Sequence, residues 1–138
     1  MASKPSTPPT SPAITILSTL RLSLGATLLI LPTKTLSLFL ITIAPSTPAV
    51  LLTRLFGARD AVLGAQLYTA ADGTAPDGGR RETRRALWAG IAADALDMCS
   101  VAAAVRGGYL GMGPAGLLWG GALVGVGMGW MGLRAVRE

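Results

Sequence analysis

Histidine does not occur in this chain of 138 residues, and cysteine occurs once, as Cys99. Without histidine there is no Ser-His-Asp or Cys-His catalysis, no His-ligated haem and no common histidine zinc site. A single cysteine excludes an intrachain disulfide, and within an apolar stretch Cys99 reads as a buried, inert thiol. No metal and no cofactor are expected from the residues present. Aromatic residues make up 5% of the chain, thin support for a site that stabilises a carbocation on aromatic faces. Charge is scarce as well. Charged residues are 14% of the chain, against about 25% in soluble domains. With 51% hydrophobic residues and a mean hydropathy of +0.54, the deficit points to the membrane. The net charge of +5 forms no basic face with interleaved aromatics, so nucleic acid is not an expected partner.

What is present is apolar and segmented. Residues 1–12, MASKPSTPPTSP, are Pro/Ser/Thr-rich and too polar to fold alone, and read as a disordered tail. The segment after them makes a poor signal peptide because Arg21 interrupts its apolar region. The lack of any acidic residue before Asp60 is a weak pointer to a mitochondrial transit signal. Residues 13–138 read as one all-α domain, a four-transmembrane-helix bundle with spans at about 13–31, 49–71, 86–105 and 114–133. Each is near the roughly 20 residues a helix needs to cross a bilayer, and helices leave no backbone group unpaired there. TKTLSLFLITIA (33–44) is apolar but short and bracketed by Pro32, Pro45 and Pro48. It reads as an interfacial or re-entrant segment, with a fifth span as the alternative.

The basic residues give an orientation. Cytoplasmic loops carry the Lys/Arg excess. Placing the loop 72–85, with Arg80, Arg81, Arg84 and Arg85, inside puts both termini inside, together with Lys4, Arg134 and Arg137. Only Lys34 and Arg106 then lie outside. RRETRR could instead be a patch for anionic lipid or a localisation signal; the topogenic reading is the plainer one.

GMGWMG (127–132) matches G-x-G-x-x-G but follows no strand and has no acidic residue about 20 positions on, so it is not a dinucleotide site. Its glycines read as packing. Gly121, Gly125 and Gly129 recur every fourth residue, a small-residue face suited to close helix contact, within the chain or as a homo-oligomer through the fourth span. Trp119 and Trp130 read as interfacial anchors.

The strongest signal is charge inside the spans. Arg21, Arg54, Arg59, Asp60, Asp94 and Asp97 all fall within them. Unpaired, the six would cost on the order of 15–20 kcal/mol. Arg21, Arg59, Asp60, Asp94 and Asp97 lie near the middle of their spans, so antiparallel neighbours would bring them to one level. Arg54 lies about 9 Å outward from Asp60 at 1.5 Å per residue and could snorkel. Asp94 and Asp97, three apart, share a helical face with Gly90. Gly57, Asp60 and Gly64 form a second such stripe, and Ser18, Arg21 and Gly25 a third. If Arg54 turns away, two arginines face three carboxylates, and one added proton would balance them.

Phe56-Gly57-x-Arg59-Asp60-x-x-Leu63-Gly64 in the second span, with Asp94-x-x-Asp97 in the third, resembles a family of small fungal and bacterial four-helix membrane proteins of unknown function. More distantly the chain resembles DoxX-like membrane proteins. The likeness spans roughly residues 16–107 and implies the same four-helix fold, with Gly57, Arg59, Asp60, Gly64, Asp94 and Asp97 at the shared positions. It implies no particular activity. The charges could be a structural ion network that fixes helix order or a functional centre. Three functions compete. The first is binding or shuttling of a small lipophilic or ionic ligand, with Arg21, Arg59 and Arg54 holding it or pairing the acids. The second is a membrane enzyme of isomerase or cyclase type, with Asp94, Asp97 or Asp60 as general acid. The third is a non-catalytic assembly partner.

Overall fold

The computed structural model describes residues 11–41, 47–70 and 77–137. Those residues form five helices and no strand: α1 (Pro12–Ile30), α2 (Pro32–Leu38), α3 (Thr47–Ala70), α4 (Arg80–Arg106) and α5 (Met112–Arg137). The polar tail 1–10, the proline-flanked stretch 42–46 and residues 71–76 of the expected loop lie outside the described residues.

Local chemistry sets the boundaries. Pro12 opens α1, one residue inside the expected tail, because proline lacks only an N–H that a first turn leaves unpaired anyway. The short helix is briefer than the 33–44 expectation. It closes at Leu38 with the Leu40 N–H donating to the Ser37 carbonyl and the Ile41 N–H to that of Leu36. This Schellman closure places Leu40 at φ 57, a left-handed position that usually falls to glycine. Helix α4 begins six residues before the expected 86. Gly78 and Gly79, at φ 64 and 78, make the turn that no side chain enters without strain. The Asp77 carboxylate then accepts the backbone N–H groups of Gly79 and Arg81. The four arginines expected in a loop therefore lie on the first turns of α4. That helix ends with Gly108 at φ 73, its N–H donating to the Val105 carbonyl and that of Tyr109 to Ala104.

The long helices pack as two glycine-lined antiparallel hairpins. In the first, Gly25 of α1 meets Gly57 and Ala61 of α3, while Gly64 of α3 meets Ser18 and Leu22 of α1. In the second, Gly125, Gly129 and Gly132 of α5 meet Asp94, Ile91 and Leu87 of α4. The hairpins join where α3 touches α4 and α1 touches α5, so each long helix has two neighbours; α2 lies against α1 and α3. The apolar core (Ile14, Leu17, Leu67, Leu87, Leu133 and Val136) occupies one end, where α1 and α4 begin and α3 and α5 finish.

Large apolar side chains point outward instead, among them Leu20, Leu55, Val62, Leu96, Leu123 and Met131. Cys99, expected to be buried, is exposed on the same apolar exterior. Three helices, α1, α4 and α5, are long and apolar enough to cross a membrane, which marks this as a membrane protein. The expected span at 49–71 does not meet that measure, because every 18-residue stretch of α3 contains Arg54, Arg59 and Asp60.

Candidate functional site

The inward stripes of α1, α3 and α4 deliver their charges to one place between the hairpins. Arg21 is the hub. Its side chain is 8% exposed. One terminal nitrogen donates to Asp94 Oδ2 at 2.5 Å and lies 3.4 Å from the Gly90 carbonyl. The other lies 3.4 Å from Asp60 Oδ1. Gly90 makes room for this, since a Cβ there would sit 3.2 Å from the guanidinium nitrogen. Gly125 does the same for Asp94, whose carboxylate occupies the space a Cβ would need.

Arg59 forms the second centre. It grips Asp97 with two parallel bonds of 2.6 Å, the bidentate geometry that suits guanidinium and carboxylate. It also reaches Asp60 Oδ1 at 3.2 Å, and its guanidinium carbon lies 5.3 Å from the centre of the Phe56 ring. This pair is more open than the first: Arg59 is 32% and Asp97 30% exposed in their side chains, against 11% for Asp60 and 10% for Asp94.

Charge matching follows from the distances. Asp94 belongs to Arg21 and Asp97 to Arg59. Asp60 shares one oxygen between both arginines at longer range, and among the described residues its Oδ2 has no hydrogen-bond partner. Two arginines thus stand against three carboxylates. Burying such a surplus is costly in a poorly solvated interior, and either a proton or a further positive charge beside Asp60 would offset it. Of the three carboxyl groups Asp97 is the most accessible, while Asp60 and Asp94 are each about a tenth exposed.

The remaining expected residues fall differently. Arg54 is exposed and makes no ion pair among the described residues, so it stands apart from the network. Gly57, Gly64, Gly90, Gly125 and Gly129 each meet another helix, but a Cβ at Gly121 would meet nothing. The four-residue spacing drifts off the α4-facing side at that point, because 3.6 residues per turn carries a strict i+4 row around the helix. Trp119 turns its indole N–H inward to the Met98 carbonyl at 3.0 Å. Two further residues contribute. Gly132 packs on Leu87 and Ile14 and continues the inner face of α5. Phe56, the first residue of the Phe-Gly-x-Arg-Asp pattern, lies against the Arg59 guanidinium.

No family model matches the chain, and neither do the curated proteins or the solved structures.

Proposed function

We propose that this chain is a four-span membrane protein that binds or shuttles a small lipophilic or ionic ligand at its Arg/Asp network, and that the ligand's reacting group is cationic. In this reading α3 crosses the bilayer with α1, α4 and α5. Leu51, Leu52, Leu55 and Val62 face outward on α3, while Asp60 is inside and within reach of both arginines, which lowers the insertion penalty that its charges carry singly. The network then sits near mid-membrane, with α2 at the interface. The resemblance to small four-helix membrane proteins of unknown function belongs to the same proposal.

Orientation follows from charge. Arg80, Arg81, Arg84, Arg85, Arg134 and Arg137 belong to the starts and ends of helices that share one pole, which the positive-inside rule assigns to the cytoplasm. Engineered glycosylation acceptors near residues 33–48 or 106–113 are expected to be modified, and one at residue 78 is not. Modification at 78 would reverse the orientation.

The observation that carries the ligand proposal is the count of three carboxylates against two arginines, with Asp60 the one matched least closely. A cation balances the count, and an apolar body would let it enter from the lipid beside the half-open Arg59–Asp97 pair. The test is equilibrium binding of tetraphenylphosphonium and tetrabutylammonium to protein in zwitterionic vesicles. Saturable binding is expected, weakened about tenfold or more by Asp60→Asn, a loss of roughly 1.4 kcal/mol. No saturable binding, or the same affinity in Asp60→Asn, would leave the network as structural glue.

A further inference from the structure

At the pole opposite α2, the start of α4 and the end of α5 flank an open surface groove of about 930 Å³ that the Arg/Asp network does not touch. Its walls include Arg80, Arg81, Arg84 and Arg85 of α4, Arg137 of α5 and the Trp88 ring. We propose that this groove is a binding site for the phosphodiester headgroup of an anionic phospholipid.

Three features point to an anion. First, topology alone needs only the net count of basic residues near the membrane, not their convergence. Here Arg80 and Arg84, Arg81 and Arg85, and Arg81 and Arg84 are pairs three or four apart on one helix, where like charges destabilise each other. Arg137, from a different helix, adds to the same space. Second, the four α4 arginines sit on the first two turns, the positive end of the helix dipole, where anions are favoured and cations are not. Charge and dipole call for the same counter-ion. Third, the acidic side chain on the groove wall is already committed. Asp77 accepts the Arg81 and Gly79 backbone N–H groups at 3.0 and 3.1 Å. The Arg81 N–H holds its carboxyl below the ordinary carboxylate range. It therefore caps the helix. Arg85 has a neighbour in Glu82 at 3.4 Å, a highly exposed pair.

What borders the arginines favours a lipid over a free phosphate. Trp88 is 44% and Trp130 46% exposed, and their rings meet edge to face with centroids 6.3 Å apart. Indoles favour the headgroup level of a bilayer. Trp88 lies one to two helical turns inward from the arginines, so a phosphate held by Arg81, Arg84 and Arg137 has apolar surface beside it for the start of an acyl chain. Guanidinium groups match phosphate oxygens in a bidentate way.

The test uses the full chain in a neutral detergent, with the melting temperature followed as lipid is added. Phosphatidylglycerol is expected to raise it and phosphatidylcholine is not. Arg84→Gln with Arg137→Gln should weaken the phosphatidylglycerol response, about fivefold in apparent affinity for each arginine removed. Arg106→Gln, at the other pole, should leave it unchanged; the melting temperature without lipid shows that each variant is folded. Equal stabilisation by phosphatidylcholine would overturn the proposal. So would a loss in Arg106→Gln as large as that in the double variant, which would make the effect general surface charge. Stabilisation by inorganic phosphate alone to the same extent would make it a free-anion site and also overturn it.

Discussion

Replacing Arg21 with methionine will be the most damaging single change to the ionic network. Arg21 is the partner of Asp94, a neighbour of Asp60 and a donor to the Gly90 carbonyl, all in a nearly sealed position. Methionine would fill much of its volume, leave Asp94 buried without its cation and leave Asp60 with Arg59 alone. Removing one member of a buried ion pair costs about 3–5 kcal/mol. A melt in detergent is expected to drop accordingly. Arg21→Met combined with Asp94→Leu should recover much of the loss, because the stranded charge goes with its partner. If the two changes simply add, Arg21 and Asp94 are not coupled.

Gly25→Leu is expected to have an effect of comparable size by a different route. A Cβ at residue 25 would strike the Ala61 nitrogen and the Gly57 carbonyl oxygen, both backbone atoms on α3. Neither can rotate away, so α1 and α3 must separate. Overpacking typically costs about 1–3 kcal/mol, and separation would also draw Arg21 away from Asp60, since the two hold the same hairpin. Even Gly25→Ala should lower the melting temperature, whereas Gly121→Ala should not, because the space beside Gly121 is open. A similar loss in both variants would mean that close approach in the hairpin does not set the cost, since helix propensity alone favours alanine over glycine.

How much of this could be read from the sequence depended on the range of the interaction. Stripes such as Gly57, Asp60 and Gly64 are local consequences of helical periodicity, and they name the inward faces of α1, α3 and α4. Equal depth along the spans put Arg21, Arg59, Asp60, Asp94 and Asp97 at one level. Which arginine takes which carboxylate is not a local property. It depends on how far each hairpin rotates, and it left Asp60 shared. Arginines in series resemble a loop, so the sequence alone starts α4 late; the Asp77 cap acts through space on N–H groups that only a formed helix presents. The outward turn of Gly121 and the inward turn of Gly132 follow from the drift of 3.6 against a strict spacing of four. Cys99 was expected inside because apolar surroundings mean a core in water, whereas in this fold the apolar side chains face outward.

The proposed excess of one negative charge in the network lies at Asp60. It is tested most directly by melting Asp60→Asn, Asp94→Asn and Asp97→Asn side by side in one detergent without added ligand. Asparagine keeps the shape and a hydrogen-bond acceptor while removing the charge. Asp94 and Asp97 give up the short bonds to Arg21 and Arg59, so both of those variants should melt well below the parent protein. Asp60 gives up only its longer contacts, and Asp60→Asn should melt at or above the parent temperature. A loss in Asp60→Asn as large as that in Asp94→Asn would contradict the account, because Asp60 would then be a matched partner and the network would have no place for a further cation.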